Sequence, residues 1–171
     1  MNPALRGLWA LALAAACACH SARPTEFVNI TFTPSVPTDD YATWDFELAS
    51  CQDFGDERVD DDFVRAELLA AIEDELTQRG YERRPGEPVH FTVYYRLWVA
   101  DGGDLLGVAE RSRGQIFIRD VKSGRNVWRG ERKAPVTGKA RTREEQSELL
   151  RRFVRELLEY TRKLEAPEDQ V

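Results

Sequence analysis

Residues 89–99 read Val89-His90-Phe91-Thr92-Val93-Tyr94-Tyr95-Arg96-Leu97-Trp98-Val99, and this stretch decides the fold. Phe91, Val93, Tyr95, Leu97 and Val99 alternate with His90, Thr92, Tyr94, Arg96 and Trp98. Period two is the signature of a strand with one face on a core and the other turned away from it. A glycine-rich turn, Asp101-Gly102-Gly103-Asp104, closes the stretch.

Working outward, 114–121 and 126–131 predict a hairpin around Lys122-Ser123-Gly124-Arg125. Turn parity sets its faces. A three-residue loop with Gly124 left-handed places Trp128 beside Ile116 and Ile118, whereas a two-residue loop turns it outward; the buried arrangement is expected. Upstream, the β-branched and aromatic runs 27–33 and 41–48 predict two more strands, separated by Pro34, Pro37 and a turn at 38–40. Between them and residue 89, Val64, Leu68, Leu69, Ile72 and Leu76 form one apolar stripe at helical spacing, predicting a helix over 61–79. Aspartates 60–62 suit its N-terminus and Gly80 its end. Thr142-Arg143-Glu144-Glu145 is a capping box, opening a helix to about residue 163. The expectation is α+β: an antiparallel or mixed sheet of about five strands, order β-β-α-β-β-β-α, covered by two amphipathic helices.

These pieces carry a resemblance. Tyr41-Ala42-Thr43-Trp44, the helix end Gln78-Arg79-Gly80-Tyr81, the strand Val89–Tyr95, the hairpin with Asn126-Val127-Trp128-Arg129-Gly130 and the closing helix recur in order across about residues 27–160. In this the chain resembles the bacterial lipoproteins catalogued as domain of unknown function 4136. The chain departs from that pattern in its acidic loop at 51–62 and its longer tail. The resemblance implies an α+β envelope domain behind a lipid anchor, and it brings no established catalytic or ligand residues with it.

The first residues read as an export signal. Arg6 precedes a short apolar run, Gly7 to Ala16. Crossing a bilayer as a helix takes roughly 20 apolar residues, so this run fits a signal peptide instead. Leu13-Ala14-Ala15-Ala16-Cys17 resembles a lipobox, although Ala14 stands where a larger aliphatic residue is usual. Cys17 is the expected lipid-attachment residue and Cys19 the alternative; ordinary cleavage with no lipid is the plain competitor. The expected organisation is a lipoprotein signal peptide at 1–16, a lipidated tether at 17–26, one domain at 27–165 and a disordered tail at 166–171. No aspartate follows the candidate cysteines, so the expected location is the periplasmic face of the outer membrane. With Cys17 lipidated, Cys19 and Cys51 are left to pair; with Cys19 lipidated, one thiol is left over. No bridge is expected.

Without residues 1–16 the chain has 23 basic and 30 acidic side chains, a net charge of −7. That argues against general nucleic-acid binding. Catalytic, metal and cofactor signatures are thin. The two histidines are His20, in the tether, and His90, at a strand start; no zinc motif, triad or phosphate loop is present. Asp53, Asp56, Glu57, Asp60, Asp61 and Asp62 offer many oxygens, but not at EF-hand spacing, and capping explains half of them. No catalytic residue, metal or cofactor is therefore expected, and the chain is read as a non-enzyme. Dispersed carboxylates leave no signature, which keeps a periplasmic hydrolase as an alternative.

The basic segment Arg129, Arg132, Lys133, Lys139, Arg141 and Arg143 stands out in an acidic protein. It is either a contact for anionic lipid or glycan phosphates or a solvated sheet edge whose charges discourage strand pairing; the second is favoured. Tyr94 and Trp98 form an exposed aromatic pair on the outer sheet face or lie buried under a loop. The leading reading is a lipid-anchored envelope protein that binds an unknown envelope protein or supports assembly. A glycan- or lipid-binding module is the other alternative, and it requires the basic segment and the aromatic pair on one surface.

Overall fold

The computed structural model describes residues 29–33, 38, 40–57, 59–99, 112–133, 142–159 and 161. The elements are β1 (Asn29–Phe32), β2 (Thr43–Phe46), a 3-10 turn (Leu48–Ser50), α1 (Asp61–Gln78), β3 (Glu82–Arg83), β4 (Phe91–Val99), β5 (Ser112–Asp120), β6 (Asn126–Lys133) and α2 (Arg143–Leu158). The fold is α+β, as the sequence predicts, with a mixed sheet in the order β1-β6-β5-β4-β2-β3. β4, β5, β6 and β1 pair antiparallel, while β2 runs parallel to both β4 and β3.

Six strands replace the expected five. The extra one, β3, is two charged residues long and has no hydrophobic alternation to betray it. Its backbone makes it a strand: Glu82 N–H donates to Ala42 O at 2.8 Å and Arg84 N–H to Trp44 O at 2.9 Å. Placing β2 beside β4 leaves its other edge open, and the chain leaving α1 at Gly80 (φ 88°) closes it.

Both helices pack on one face. β4 contributes Phe91, Val93, Tyr95 and Leu97 to the core, as its alternation predicts. Ile116, Ile118, Trp44 and Trp128 join them under Leu68, Ile72 and Leu76 of α1 and Phe153, Val154 and Leu157 of α2. The Asp60 side chain caps α1 through Phe63 N–H, and Thr142 and Glu145 form the predicted capping box on α2.

The β5–β6 hairpin buries Trp128 by a different route from the one expected. Its loop holds four residues, closed by Asp120 N–H to Arg125 O and Gly124 N–H to Asp120 O, both 2.9 Å, with Gly124 at φ 67°. Four residues alone would invert the parity. A bulge between Ile118 and Arg119 adds one residue on β6, so Trp128 lies opposite Ile118, and both are buried. The expected signal, tether and tail, and the turn at 101–104, lie outside the described residues.

Candidate functional site

Among the described residues no helix covers the second face of the sheet. The register builds it in rows. Thr92, Arg119 and Asn126 lie side by side, then Tyr94, Phe117 and Arg129, then Arg96, Gln115 and Glu131, and last Trp98, Arg113 and Lys133. Each row takes one residue from β4, β5 and β6, because alternate residues of neighbouring strands share a face.

Two rings form its centre. Tyr94 and Phe117 stack at 4.6 Å with 4° between planes, and they are only 2% and 6% exposed. The guanidiniums of Arg119 and Arg96 lie 4.8 and 5.8 Å from the Tyr94 ring centre; those of Arg96 and Arg129 lie 5.5 and 5.7 Å from that of Phe117. Arginine suits this place, since its flat, weakly hydrated head rests on aromatic faces while its edge stays available to acceptors.

The polar groups around the rings are already interlocked. Arg119 donates to Glu47 Oε1 at 2.6 Å and to the Tyr94 hydroxyl at 3.2 Å. The Asn126 amide meets the same hydroxyl at 3.0 Å, and Thr92 Oγ1 donates to Glu47 Oε2 at 3.1 Å. Glu131 accepts from Gln115 Nε2 and Arg129, both at 2.7 Å. Among the described residues no carboxylate pairs with Arg96, which is exposed above the ring stack.

The six residues of the basic segment do not share this face. Arg129 and Lys133 stand on it. Arg132 points to the other side and pairs with Glu156 of α2. Arg143 sits at the start of α2, 2.8 Å from Asp60, with its guanidinium over Phe63. Lys139, Arg141, Cys17 and Cys19 lie outside the described residues. Tyr94 and Trp98 do lie on the helix-free face, Tyr94 buried beneath arginines and Trp98 half-buried. Sequence reasoning placed Arg96 on this face but singled out only Tyr94 and Trp98 there, and it passed over Arg113, Phe117 and Arg119, which belong to β5. The alternation of β5, in which Arg113, Phe117 and Arg119 share parity, was the available signal.

Two acids of the loop hold it in place. Asp61 accepts from Gly55 N–H at 2.9 Å and Phe54 N–H at 3.3 Å. Asp53 accepts from the Tyr95 hydroxyl at 2.6 Å and from Arg65. Burial alone would raise the Asp53 carboxyl; the Arg65 and Tyr95 hydrogen bonds outweigh it and leave it below the ordinary value. Burial, reinforced by Asp53, raises Tyr95. Among the described residues no three His, Cys, Asp or Glu side chains gather as a metal site. His90 Nδ1 sits 2.7 Å from Thr43 Oγ1 and accepts Thr43 N–H at 3.2 Å, tying the start of β4 to β2.

A family model described as Domain of unknown function (DUF4136) matches residues 28–160. Among solved structures, the chain is similar to a DUF4136 family protein from Bacteroides thetaiotaomicron, at 11% identity and a TM-score of 0.51, covering 81% of this chain and 97% of that one. It is similar also to a PDZ domain protein from Parabacteroides distasonis, at 18% identity and a TM-score of 0.51, covering 85% of this chain but 37% of that one. The PelC dodecamer from Paraburkholderia phytofirmans overlaps at 10% identity and a TM-score of 0.45, over 77% of this chain and 94% of that one. No curated protein matches. At such identities these likenesses speak to the fold alone.

Proposed function

The chain belongs to the DUF4136 family, and from that premise we propose that it is an exported, lipid-anchored envelope domain that binds rather than reacts. The order of parts along the chain carries this reading. A short apolar leader runs to Ala16, Cys17 follows a run of small residues, a brief tether comes next, and the sheet begins at Asn29. The sheet then offers a helix-free face of arginines over a stacked aromatic pair, a rigid surface suited to holding a polar partner. Arg119 and Arg129 are engaged by Glu47 and Glu131, and the face spreads its charges over several rows, as in a contact surface, instead of converging them on a point where a substrate would react. The proposed location is the periplasmic face of the outer membrane.

Intact mass and fractionation of the protein expressed with its own signal, alongside Cys17→Ala and Cys19→Ala, test this. Membrane-bound protein carrying the mass of three acyl chains, lost in one variant, supports the anchor and fixes its residue. Soluble, unmodified protein in all three preparations overturns it.

A further inference from the structure

Resting on that anchored reading, we propose that the Trp98–Arg113–Lys133 end of the helix-free face, with Arg96 behind it, docks on the anionic phosphates of the bilayer that holds the anchor. Two independent observations converge on this end. The first is charge. The last row joins Trp98, Arg113 and Lys133, and Arg96 in the row behind has no carboxylate partner among the described residues. The acid nearest in register, Glu131, is held by Arg129 and Gln115. Among the described residues Lys133 and Arg96 make this end positive, and in a mature chain of net charge −7 that complements an anionic surface; a tryptophan beside them suits the headgroup level.

The second is where the chain enters. β1 runs antiparallel to β6 with Asn29 opposite Glu131 and Phe32 opposite Trp128. The chain therefore comes into the sheet one row from Trp98, Arg113 and Lys133. About a dozen residues separate Cys17 from Asn29, at most about 40 Å fully extended. An acylated Cys17 tethers this end of the sheet, more than the β3 edge, to the membrane. Docking at this end leaves the Glu47–Arg119–Asn126 network, at the other end of the rows, available to a partner.

Trp98 supplies the probe. Trp9 lies in the expected signal, and Trp44 and Trp128 are 0% and 1% exposed. Mature protein is reconstituted in vesicles of phosphatidylcholine, alone or mixed with phosphatidylglycerol, carrying brominated acyl chains. The expected result is stronger quenching with phosphatidylglycerol, abolished in Trp98→Phe and relieved by salt. Partitioning of the unacylated Cys17→Ala, Cys19→Ala protein onto phosphatidylglycerol vesicles should fall about fivefold for each of Arg96→Ala and Lys133→Ala. Arg152→Ala, on the exposed surface of α2, should leave it unchanged. Equal quenching in both lipids overturns the proposal, as does partitioning indifferent to Arg96 and Lys133, or an equal loss in Arg152→Ala. The partition measurement uses unacylated protein, so it judges this docking even where the fractionation rejects the anchor.

Discussion

Tyr94 and Phe117 stack in parallel, 4.6 Å apart, on the sheet face opposite α1 and α2. The guanidiniums of Arg96, Arg119 and Arg129, from β4, β5 and β6, lie over these rings. Removing Phe117 takes away a ring that is 6% exposed together with the flat support for Arg96 and Arg129. Phe117→Ala should cost about 3 kcal/mol, and Tyr94→Phe about 1 kcal/mol, since Arg119 and Asn126 lose one shared hydroxyl but stay near solvent. Urea unfolding midpoints give both values. A Phe117→Ala cost below that of Tyr94→Phe would show that the stack contributes little.

Gly130 makes room for Trp128. A methyl group at Gly130 would lie 2.5 Å from Trp128 Cη2 and 3.1 Å from Leu157 Cδ2. Gly130→Ala should therefore destabilise by about 2 kcal/mol through overpacking, with a shift in near-ultraviolet circular dichroism as Trp128 gives way. At Gly124 a side chain meets no atom within 4 Å, and the cost comes from φ 67° instead. Gly124→Asn should then be tolerated better than Gly124→Ala. Thermal unfolding of the three variants separates steric from conformational cost.

The same residues explain what was legible in advance. β4 announced itself because its inner face alternates without a break, and α2 because Thr142 and Glu145 cap it over a clean apolar stripe. β3 stayed hidden because it is held by the backbones of Ala42 and Trp44, which a sequence pattern does not encode. The hairpin loop was misread by one residue, but the demand to bury Trp128 fixed the face and a bulge absorbed the difference. The helix-free site escaped for another reason. Arg96, Phe117, Arg119 and Arg129 are neighbours only through cross-strand register, whereas a run of basic residues along one strand splits between two faces, as Arg129 and Arg132 do.

Glu75 links the two helices. It is 8% exposed and accepts from Arg79, the C-cap residue of α1, at 2.6 Å and from Arg155 of α2 at 3.2 Å. Glu75→Ala would strand a nearly buried Arg79, whose side chain is 13% exposed, and should cost about 3 kcal/mol. Glu75→Gln keeps one acceptor oxygen, and so only one of these two side-chain hydrogen bonds, and should cost less than Glu75→Ala. Chemical denaturation of both variants, with Arg155→Ala to isolate the interhelical contact, checks the order. Equal losses in Ala and Gln variants would show that the one hydrogen bond glutamine keeps contributes nothing.

Asp53 makes stability depend on pH in a defined direction. Hydrogen bonds from Arg65 and Tyr95 hold its carboxyl below the ordinary value despite burial, and Asp120, likewise opposed by burial, is lowered by Ser123 and Tyr41. A depressed carboxylate binds fewer protons folded than unfolded. Its contribution is fully present above the unfolded value of about 3.9 and is lost as pH falls through the folded one. Tyr41 and Tyr95 are raised, chiefly by burial, so theirs is present below about 10 and fades above it as the unfolded phenols ionise. The unfolding free energy should hold a plateau between these limits and fall on both sides. Asp53→Asn should lower the plateau and flatten the acid limb, and Tyr95→Phe should flatten the alkaline limb. Urea titrations across pH test this. An acid limb equally steep in Asp53→Asn would place the proton uptake elsewhere.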